Sequence, residues 1–286
     1  YTLSLHDALP ILAAAKCQPV DCTPVWFMRQ AGRCLPEYRA MRQRHSFMEL
    51  ATTPELAAEA TLLPVNLLGV DAAVLFADIR LPLASLGVPF EIRPGVGPVI
   101  PSPIRTRDDI ARLERRSAEE GTPYVMQALR ILREQLGDRA ALLGFAGAPF
   151  TLACYMIEGS GSKEFAKVKK WAYAHPESFK LLIDLLVDAV VDHLGHQVEA
   201  GVDAVQLFDS WAGVLPEEQL FHWSLDPMVR IAKALRERHP GVPIIAFPRA
   251  VGPAALMYRL PETFSALSLD TGIGAHWAAK EIQPHI

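Results

Sequence analysis

The feature of this sequence that most constrains its fold is a pattern that occurs in two distant parts of the chain. Gly69-Val-Asp-Ala begins the first copy, which ends at Asp78, and Gly201-Val-Asp-Ala begins the second, which ends at Ser210. In each copy a glycine follows a predicted helix, an apolar strand comes next, and polar residues stand where that strand ends. Repeated helix–strand units of this kind indicate an α/β fold with a parallel sheet.

Six candidate strands end in a similar way along the chain. Polar groups gathered where parallel strands end are typical of the active site of a (β/α)8 barrel. A doubly wound sheet is the alternative, but the glycine-rich phosphate motifs that often accompany it, G-x-G-x-x-G and G-x-x-x-x-G-K-[ST], do not occur here. We therefore predict a TIM-type (β/α)8 barrel. The strands end at Arg29, Asp78, Gly144-Phe145, Phe208-Asp209, Phe247–Arg249 and Asp270.

Hydrophobic spacing and terminal residues predict where the regular elements lie. The stretch 80–103 is rich in proline and glycine, so we expect an irregular excursion there. Strands are predicted at 24–28, 70–77, 141–145, 203–208, 242–247 and 265–269. Helices are predicted at 54–68, 106–113, 123–136, 176–200, 226–239 and 277–282.

Composition excludes several functional classes. Half of the 286 residues are apolar, which is enough for a large core, and the net charge of −4 with no long Lys/Arg run makes nucleic acid an unexpected partner. The four cysteines form no C-x2-C pair and no disulfide framework, so we predict reduced thiols and a cytoplasmic location. We predict no membrane span, because no apolar run approaches the roughly 18–20 residues that one requires.

The first residues of the chain differ in character from the rest. Residues 1–11 lack the cationic start of a signal peptide and do not continue the pattern that follows. We predict a foreign segment at 1–11 and one catalytic domain at 12–286.

An arginine-rich turn follows the first predicted strand. Arg29 and Arg33 are four residues apart, so on a helical turn they would lie on one side and repel each other. A negative ligand between them would remove that repulsion, and a guanidinium offers a bidentate fork to a carboxylate. The spacing leaves a second interpretation open, in which both pair with Glu37 or other surface carboxylates.

Other polar residues have both a functional and a structural interpretation. Asp78 ends an apolar strand, where an ionised carboxylate needs several donors, but aspartate also caps turns. Taken alone, Tyr155 suits a helix residue with its hydroxyl at the surface, and Ser210 suits a helix cap. His193 and His196 have metal-compatible spacing but no third ligand nearby, so we expect both on a solvated helix surface.

Three segments together resemble the uroporphyrinogen decarboxylase family. They are Pro24–Arg42, Gly144–Tyr155 and Gln206–Gly213, in the family's order, and the resemblance extends over about residues 12–286. It implies a homodimeric cytoplasmic enzyme that removes the four acetate carboxyl groups of uroporphyrinogen to give coproporphyrinogen. It also implies that the reaction needs no metal and no organic cofactor.

The resemblance assigns roles to particular residues. Asp78, in the segment Phe-Ala-Asp-Ile, matches the aspartate at the substrate centre, which would face the four pyrrole N–H groups. Arg29 and Arg33 complete the implied catalytic set as carboxylate holders. Arg80 departs from the pattern, since relatives usually have an apolar residue there. The implied substrate-binding residues are Gln30, Tyr155, Phe208 and Ser210.

Six predicted strands are two fewer than a closed barrel contains. We therefore expect a barrel that lacks its last one or two β/α units. Two other functions stay open on the sequence. One is a corrinoid-linked methyltransferase of the same barrel superfamily, for which the cysteine spacing supplies no zinc-ligand set. The other is an inactive fragment that binds porphyrinogen.

Overall fold

A five-stranded parallel sheet forms the centre of the computed structural model, which describes residues 9–27, 34–93 and 95–286. Its strands lie side by side in chain order and pair in parallel throughout. One antiparallel hairpin of the described residues lies outside this sheet. The sheet contains β1 (Ala72–Val74), β4 (Ala141–Gly147), β5 (Ala204–Asp209), β6 (Ile244–Pro248) and β7 (Ala266–Leu267), and the hairpin contains β2 (Glu91–Arg93) and β3 (Gly97–Val99).

Helices connect and cover these strands. No helix among the described residues is long and apolar enough to cross a bilayer. The α-helices are α1 (Pro10–Ala15), α2 (Pro36–Arg44), α3 (Phe47–Thr52), α4 (Pro54–Leu68), α5 (Pro82–Ser85), α6 (Arg107–Ala111), α7 (Ala118–Gly121), α8 (Pro123–Leu136), α9 (Pro149–Glu158), α10 (Ala166–Ala174), α11 (Pro176–Glu199), α12 (Glu217–Leu220), α13 (Asp226–Arg238) and α14 (Ala275–Glu281). Short 3-10 segments occur at Ala212–Val214, Gly252–Tyr258 and Gln283–His285, and a π-helical turn at Phe221–Leu225.

The order of the strands confirms the predicted α/β class with a parallel sheet. β4, β5 and β6 are buried along their whole length, as parallel strands covered on both faces are. Among the described strands the order never reverses, which fits successive units of a (β/α)8 barrel rather than a doubly wound sheet with its switch point. That one or two further β/α units are missing stays a prediction.

The helix boundaries follow the predicted signals closely. α4 and α8 begin at prolines and end before glycines, and α11 ends one residue before its predicted limit. Gly69 and Gly201, which end the helices of the two pattern copies, have φ angles of 63° and 106°. Because side chains other than glycine rarely adopt such angles, the glycines fix where each chain turns into its strand.

The strand predicted at 24–28 is wrong for the part that the structure describes, Pro24 to Phe27. This stretch is irregular, and Val25 and Phe27 are each about half exposed. Val25 bonds to Asp71, just before β1: its N–H donates to the Asp71 carboxylate at 2.6 Å, and its carbonyl accepts from the Asp71 N–H at 2.8 Å. Pro24 has no N–H to extend this pairing, and the described stretch Pro24 to Phe27 forms no ladder with β1.

Helix α1 packs against the amino ends of three strands. Leu9 and Leu12 are buried in a cluster with Ala72, Ala141 and Ala204, the first residues of β1, β4 and β5. The predicted boundary at residue 11 therefore falls inside α1. Residues 1–8 lie outside the described residues, and the foreign origin of that segment stays a prediction.

Two further expectations need correction. The stretch 80–103 is not wholly irregular, because it carries α5 and the β2–β3 hairpin. His193 is not on a solvated surface but 1% exposed, and burial lowers its pKa to about 3. Its helix, α11, packs against α9, α13 and β4, so even the side of the helix that carries His193 is covered. His196 remains partly exposed.

Candidate active site

A row of phenylalanines lines the carboxyl-terminal half of three neighbouring strands. Phe208 on β5 lies between Phe145 on β4 and Phe247 on β6, with ring centroids 5.5 Å and 5.8 Å apart in edge-to-face geometry. All three side chains are buried. Edge-to-face pairs of this kind hold the rings in fixed orientations and form an apolar wall beside the strand ends.

Asp78 lies in a turn beyond the carboxyl end of β1. The Leu81 N–H donates to the Asp78 carbonyl at 3.1 Å, which closes the turn. The turn is fixed to β4 because the Gly147 N–H donates to the Ile79 carbonyl at 2.8 Å. A Cβ at Gly147 would lie 2.8 Å from the same carbonyl oxygen, so the close approach depends on glycine. Asp78 is thereby placed beside the end of β4.

Arg80 holds the Asp78 carboxylate from within the same turn. The Arg80 Nε donates to Oδ1 at 2.6 Å, Nη2 donates to Oδ2, and the Arg80 backbone N–H donates to Oδ1 at 2.9 Å. The two side chains are 5% and 12% exposed, for arginine and aspartate respectively. In the sequence, Arg80 is notable only as a departure from the family pattern. In the structure it is the direct partner of Asp78, the carboxylate predicted at the substrate centre.

Aromatic rings surround this ion pair. The Arg80 guanidinium carbon lies 4.7 Å from the ring centroid of Phe90 and 5.0 Å from that of Tyr155. The Tyr155 ring in turn contacts Trp211 at 6.1 Å, and Trp211 contacts Phe165 at 4.7 Å. Burial raises the pKa of Tyr155, while the neighbouring Arg80 charge opposes that shift. Tyr155 therefore lies partly buried at this cluster and not at the surface.

Tyr124 is a member of this region that the sequence did not indicate. Burial raises its pKa to about 12, and the negative charge of Asp78 contributes to the rise. The residue lies in the first turn of α8, so this helix start is within electrostatic range of Asp78. A single tyrosine on an amphipathic helix carries no sequence signal that separates it from a core residue.

A second carboxylate, Asp209 at the end of β5, lies in a buried network. Thr151 Oγ1 donates to Asp209 Oδ1 at 2.7 Å, Ser224 donates to Oδ2, and the Ser224 and Tyr258 hydroxyls are 2.6 Å apart. Burial raises the pKa of Asp209 to about 6, against the opposing effect of these hydrogen bonds. The network joins the start of α9, the π-helical turn and the 3-10 segment after β6.

The structure brings the predicted site residues that it describes to one edge of the sheet. Asp78 and Tyr155 meet at Arg80. Phe208 and Ser210 lie at the end of β5, and Trp211, which follows Ser210 directly, contacts the Tyr155 ring. The remaining predicted residues, Arg29, Gln30 and Arg33, lie outside the described residues.

A parallel α/β sheet with polar side chains at the carboxyl ends of successive strands defines a barrel-type protein with its site at that edge. The solved structure of a methyltransferase from Methanosarcina mazei has a similar fold, with a TM-score of 0.72 over 96% of this chain and 79% of that chain. At 19% sequence identity, this likeness concerns the fold alone.

Sequence relatives identify the family more narrowly. The family model described as uroporphyrinogen decarboxylase (URO-D) matches residues 8–286. The uroporphyrinogen decarboxylase of Rhodospirillum rubrum is 41% identical over 276 residues, which are 96% of this chain and 79% of that protein. The uroporphyrinogen decarboxylase of Salinibacter ruber is 42% identical over 91% of this chain and 73% of its own length. The uroporphyrinogen decarboxylase of Geobacter metallireducens is 46% identical over 82% of this chain and 68% of its own length.

The chain therefore belongs to the uroporphyrinogen decarboxylase family. The family predicted from the three sequence segments is confirmed. The matched region begins before residue 12, so it includes Leu9 and the first residues of α1.

Proposed function

We propose that this chain is a carboxy-lyase that converts uroporphyrinogen III to coproporphyrinogen III by removing its four acetate carboxyl groups. Membership of the family and the names of the relatives support this reaction. The observation that carries it is the Asp78 carboxylate, which is fixed by Arg80 beside Tyr155 at the carboxyl edge of the sheet.

The chemistry uses the substrate itself as the electron sink. Protonation of the pyrrole α carbon, next to the β carbon that bears an acetate arm, makes the ring cationic and leaves the arm-bearing carbon conjugated with it. The C–C bond to the carboxylate then breaks, CO2 leaves, and the electron pair moves into the ring. A proton added to the remaining arm carbon gives a methyl group, and loss of the ring proton restores the pyrrole. The protein must bind the carboxylates and stabilise the cation.

Asp78 is the group proposed to stabilise that cation. An ionised carboxylate that accepts from the pyrrole N–H groups favours the positive ring over the neutral one. The Asp78 side chain is 12% exposed, so its interaction with the ring is weakly screened by solvent. Arg80 keeps the carboxylate oriented, which reduces the reorganisation required during the reaction.

The other predicted residues are proposed to bind the substrate around this centre. Arg29 and Arg33 hold peripheral carboxylates, and Gln30 donates to a carboxylate beside them. Tyr155, whose ring contacts the Arg80 guanidinium, offers its hydroxyl to the substrate. Phe208, in the middle of the phenylalanine row, packs against the macrocycle. Ser210, directly after the end of β5, contacts the substrate.

We also infer a homodimer in the cytoplasm. The exposed cysteines Cys17, Cys22 and Cys34 support a reducing compartment. The family resemblance supports the homodimer, and analytical ultracentrifugation at micromolar concentration tests it: a monomer mass at all concentrations contradicts the proposal.

The reaction is tested by incubating the chain anaerobically with uroporphyrinogen III and separating the oxidised products by chromatography according to their carboxylate number. We expect stepwise appearance of products with seven to four carboxylates. The Rhodospirillum rubrum relative serves as the positive control, and Asp78→Asn as the matched negative control. Unchanged uroporphyrinogen with this chain, beside turnover by the relative, would contradict the proposed function.

A further inference from the structure

Arg80 has a guanidinium nitrogen that its partners do not use. Nε and Nη2 donate to Asp78, but Nη1, although buried, has no hydrogen-bond partner among the residues that the structure describes. The whole Arg80 residue is 4% exposed. A buried donor without an acceptor is costly, and in a functional region it indicates an acceptor supplied by a ligand.

The Asp78–Arg80 pair does little to hold the fold together. Its members are two residues apart in one turn, so the pair joins no separate elements. Burying two charges costs desolvation that their attraction seldom exceeds, and an apolar residue at such a position is often equally stable. The ion pair by itself therefore gives no structural reason for an arginine here, whereas a role in binding does.

Among the residues that the structure describes, the contacts of Arg80 leave its Nη1 nitrogen for a new partner. The guanidinium carbon lies over the rings of Phe90 and Tyr155, 4.7 Å and 5.0 Å from their centroids. Asp78 occupies the edge formed by Nε and Nη2. The remaining edge carries Nη1, whose two N–H groups lie in the plane in which arginine binds carboxylates.

We propose that Arg80 is a specificity-determining residue of this site, which binds an acetate carboxylate of the substrate through Nη1 while its other nitrogens hold Asp78. This inference rests on the proposed function. With Asp78 facing the centre of the macrocycle, the nearest peripheral carboxylates are those of the acetate arms, because a propionate arm is one methylene longer. Arg80 therefore distinguishes the octacarboxylate substrate from the tetracarboxylate product.

The experiment measures this discrimination without turnover. Uroporphyrin I and coproporphyrin I, which carry eight and four carboxylates, are titrated into the chain and followed by quenching of tryptophan fluorescence. For Arg80→Leu we expect the Kd of uroporphyrin to rise about tenfold, equivalent to about 1.4 kcal/mol, and the Kd of coproporphyrin to change less than twofold. Arg139→Leu removes the same charge at the amino end of β4, bonded there to Asn66, and should change neither Kd.

Arg80→Lys keeps the proposal testable if Arg80→Leu does not fold. A single ammonium can bind Asp78 or the substrate carboxylate but not both. We therefore expect a three- to fivefold loss of affinity for uroporphyrin and no loss for coproporphyrin. The inference is judged on whichever variant melts cooperatively. It is overturned if the Kd of uroporphyrin does not change, or if the affinities for both porphyrins fall equally. A chain that shows the expected selectivity loss but releases no CO2 from uroporphyrinogen contradicts the proposed function alone. Turnover together with retained selectivity in the variant contradicts the role of Arg80 alone.

Discussion

Asp78 and Asp209 lie at the carboxyl ends of β1 and β5, in the two copies of the repeated sequence pattern, and they have different partners. Asp78 is held by the charged guanidinium of Arg80 and keeps part of its surface exposed. Asp209 is fully buried and is held by the neutral hydroxyls of Thr151 and Ser224. One carboxylate has a cationic partner in a region of predicted site residues, and the other lies in a network that joins helices to the sheet.

The difference shows how side-chain alternation separates structure from function at one sheet edge. Successive residues of a strand point to opposite faces, so Phe208, in the phenylalanine row, and Asp209 point in opposite directions. The side of Asp209 faces the surrounding helical segments, where water is excluded and its pKa is raised to about 6. We infer that Asp78 serves the reaction and that Asp209 serves the fold.

The largest expected effect separates the two aspartates by activity. Asp78→Asn should lower kcat/KM for uroporphyrinogen III at least 100-fold, or about 3 kcal/mol, because the cationic ring loses its charged partner. Asp209→Asn should lower it less than tenfold, since the amide can still accept a hydrogen bond. The anaerobic assay measures both on variants that melt cooperatively. An equal loss of activity in the two variants would remove the functional distinction.

The strand between the two aspartates should be sensitive to a single methyl group. The Gln197 side chain accepts from the Phe145 N–H at 2.9 Å and donates to its carbonyl at 3.0 Å, and a Cβ at Gly144 would lie 2.3 Å from Gln197 Oε1. Gly144→Ala should lower the free energy of unfolding by about 2–3 kcal/mol. Urea denaturation followed by circular dichroism measures it.

The matched control is Gly195→Ala in α11. There the nearest atom to a new Cβ is His239 Nε2 at 3.5 Å, an ordinary contact. Alanine is the better helix former, so this variant should be unchanged or up to about 1 kcal/mol more stable. Equal destabilisation by both substitutions would show that the contact with Gln197 is not the cause.

The pH dependence of stability should identify Asp209 as the carboxylate with a raised pKa. Burial raises its pKa from 3.8 to about 6, so between those values the folded state binds more protons than the unfolded state. The stability that Asp209 gains from this extra proton binding is therefore greatest below pH 3.8, the pKa of the unfolded state, and is lost as the pH rises through about 6. Relative to Asp209→Asn, the wild-type chain should gain about 1 kcal/mol of stability from pH 7 to pH 5.

Denaturant melts of both proteins at several pH values measure this difference, and the other titrating groups cancel in the comparison. A difference in free energy that does not vary with pH would mean that Asp209 titrates at an ordinary value. A difference of opposite sign would mean that its hydrogen bonds outweigh the burial.

The smallest expected effect comes from the far end of the Asp209 network. Tyr258→Phe removes the hydroxyl that lies 2.6 Å from Ser224 Oγ, while the ring stays buried. The free energy of unfolding should fall by roughly 0.5–1 kcal/mol. Tyr173→Phe is the control, because Tyr173 is 59% exposed and should change stability by less than about 0.5 kcal/mol. Thermal melts fitted to the same two-state model compare the two variants. Identical shifts in Tm would argue against a linked network.

Some parts of the fold could be predicted because their signals are local. The prolines and glycines that bound α4 and α8 act within one turn of the chain, so the helix limits followed from the sequence. Burial of His193 could not be predicted, because neighbours on α9, α13 and β4 decide which sides of α11 are covered. The strand predicted at 24–28 is wrong at Pro24 to Phe27 for a similar reason, since an apolar run forms a strand only where a neighbour accepts its full ladder of hydrogen bonds.

The sequence by itself determined the α/β class, the positions of the main helices and the family, because these depend on periodicity, on residues that cap or stop helices, and on three long motifs. Only the tertiary structure decided that Asp78 pairs with Arg80 and that Asp209 joins Thr151, Ser224 and Tyr258. The physical reason is that the state of a carboxylate depends on the charges, donors and solvent around it. Residues distant in the sequence supply those surroundings only when the chain has folded.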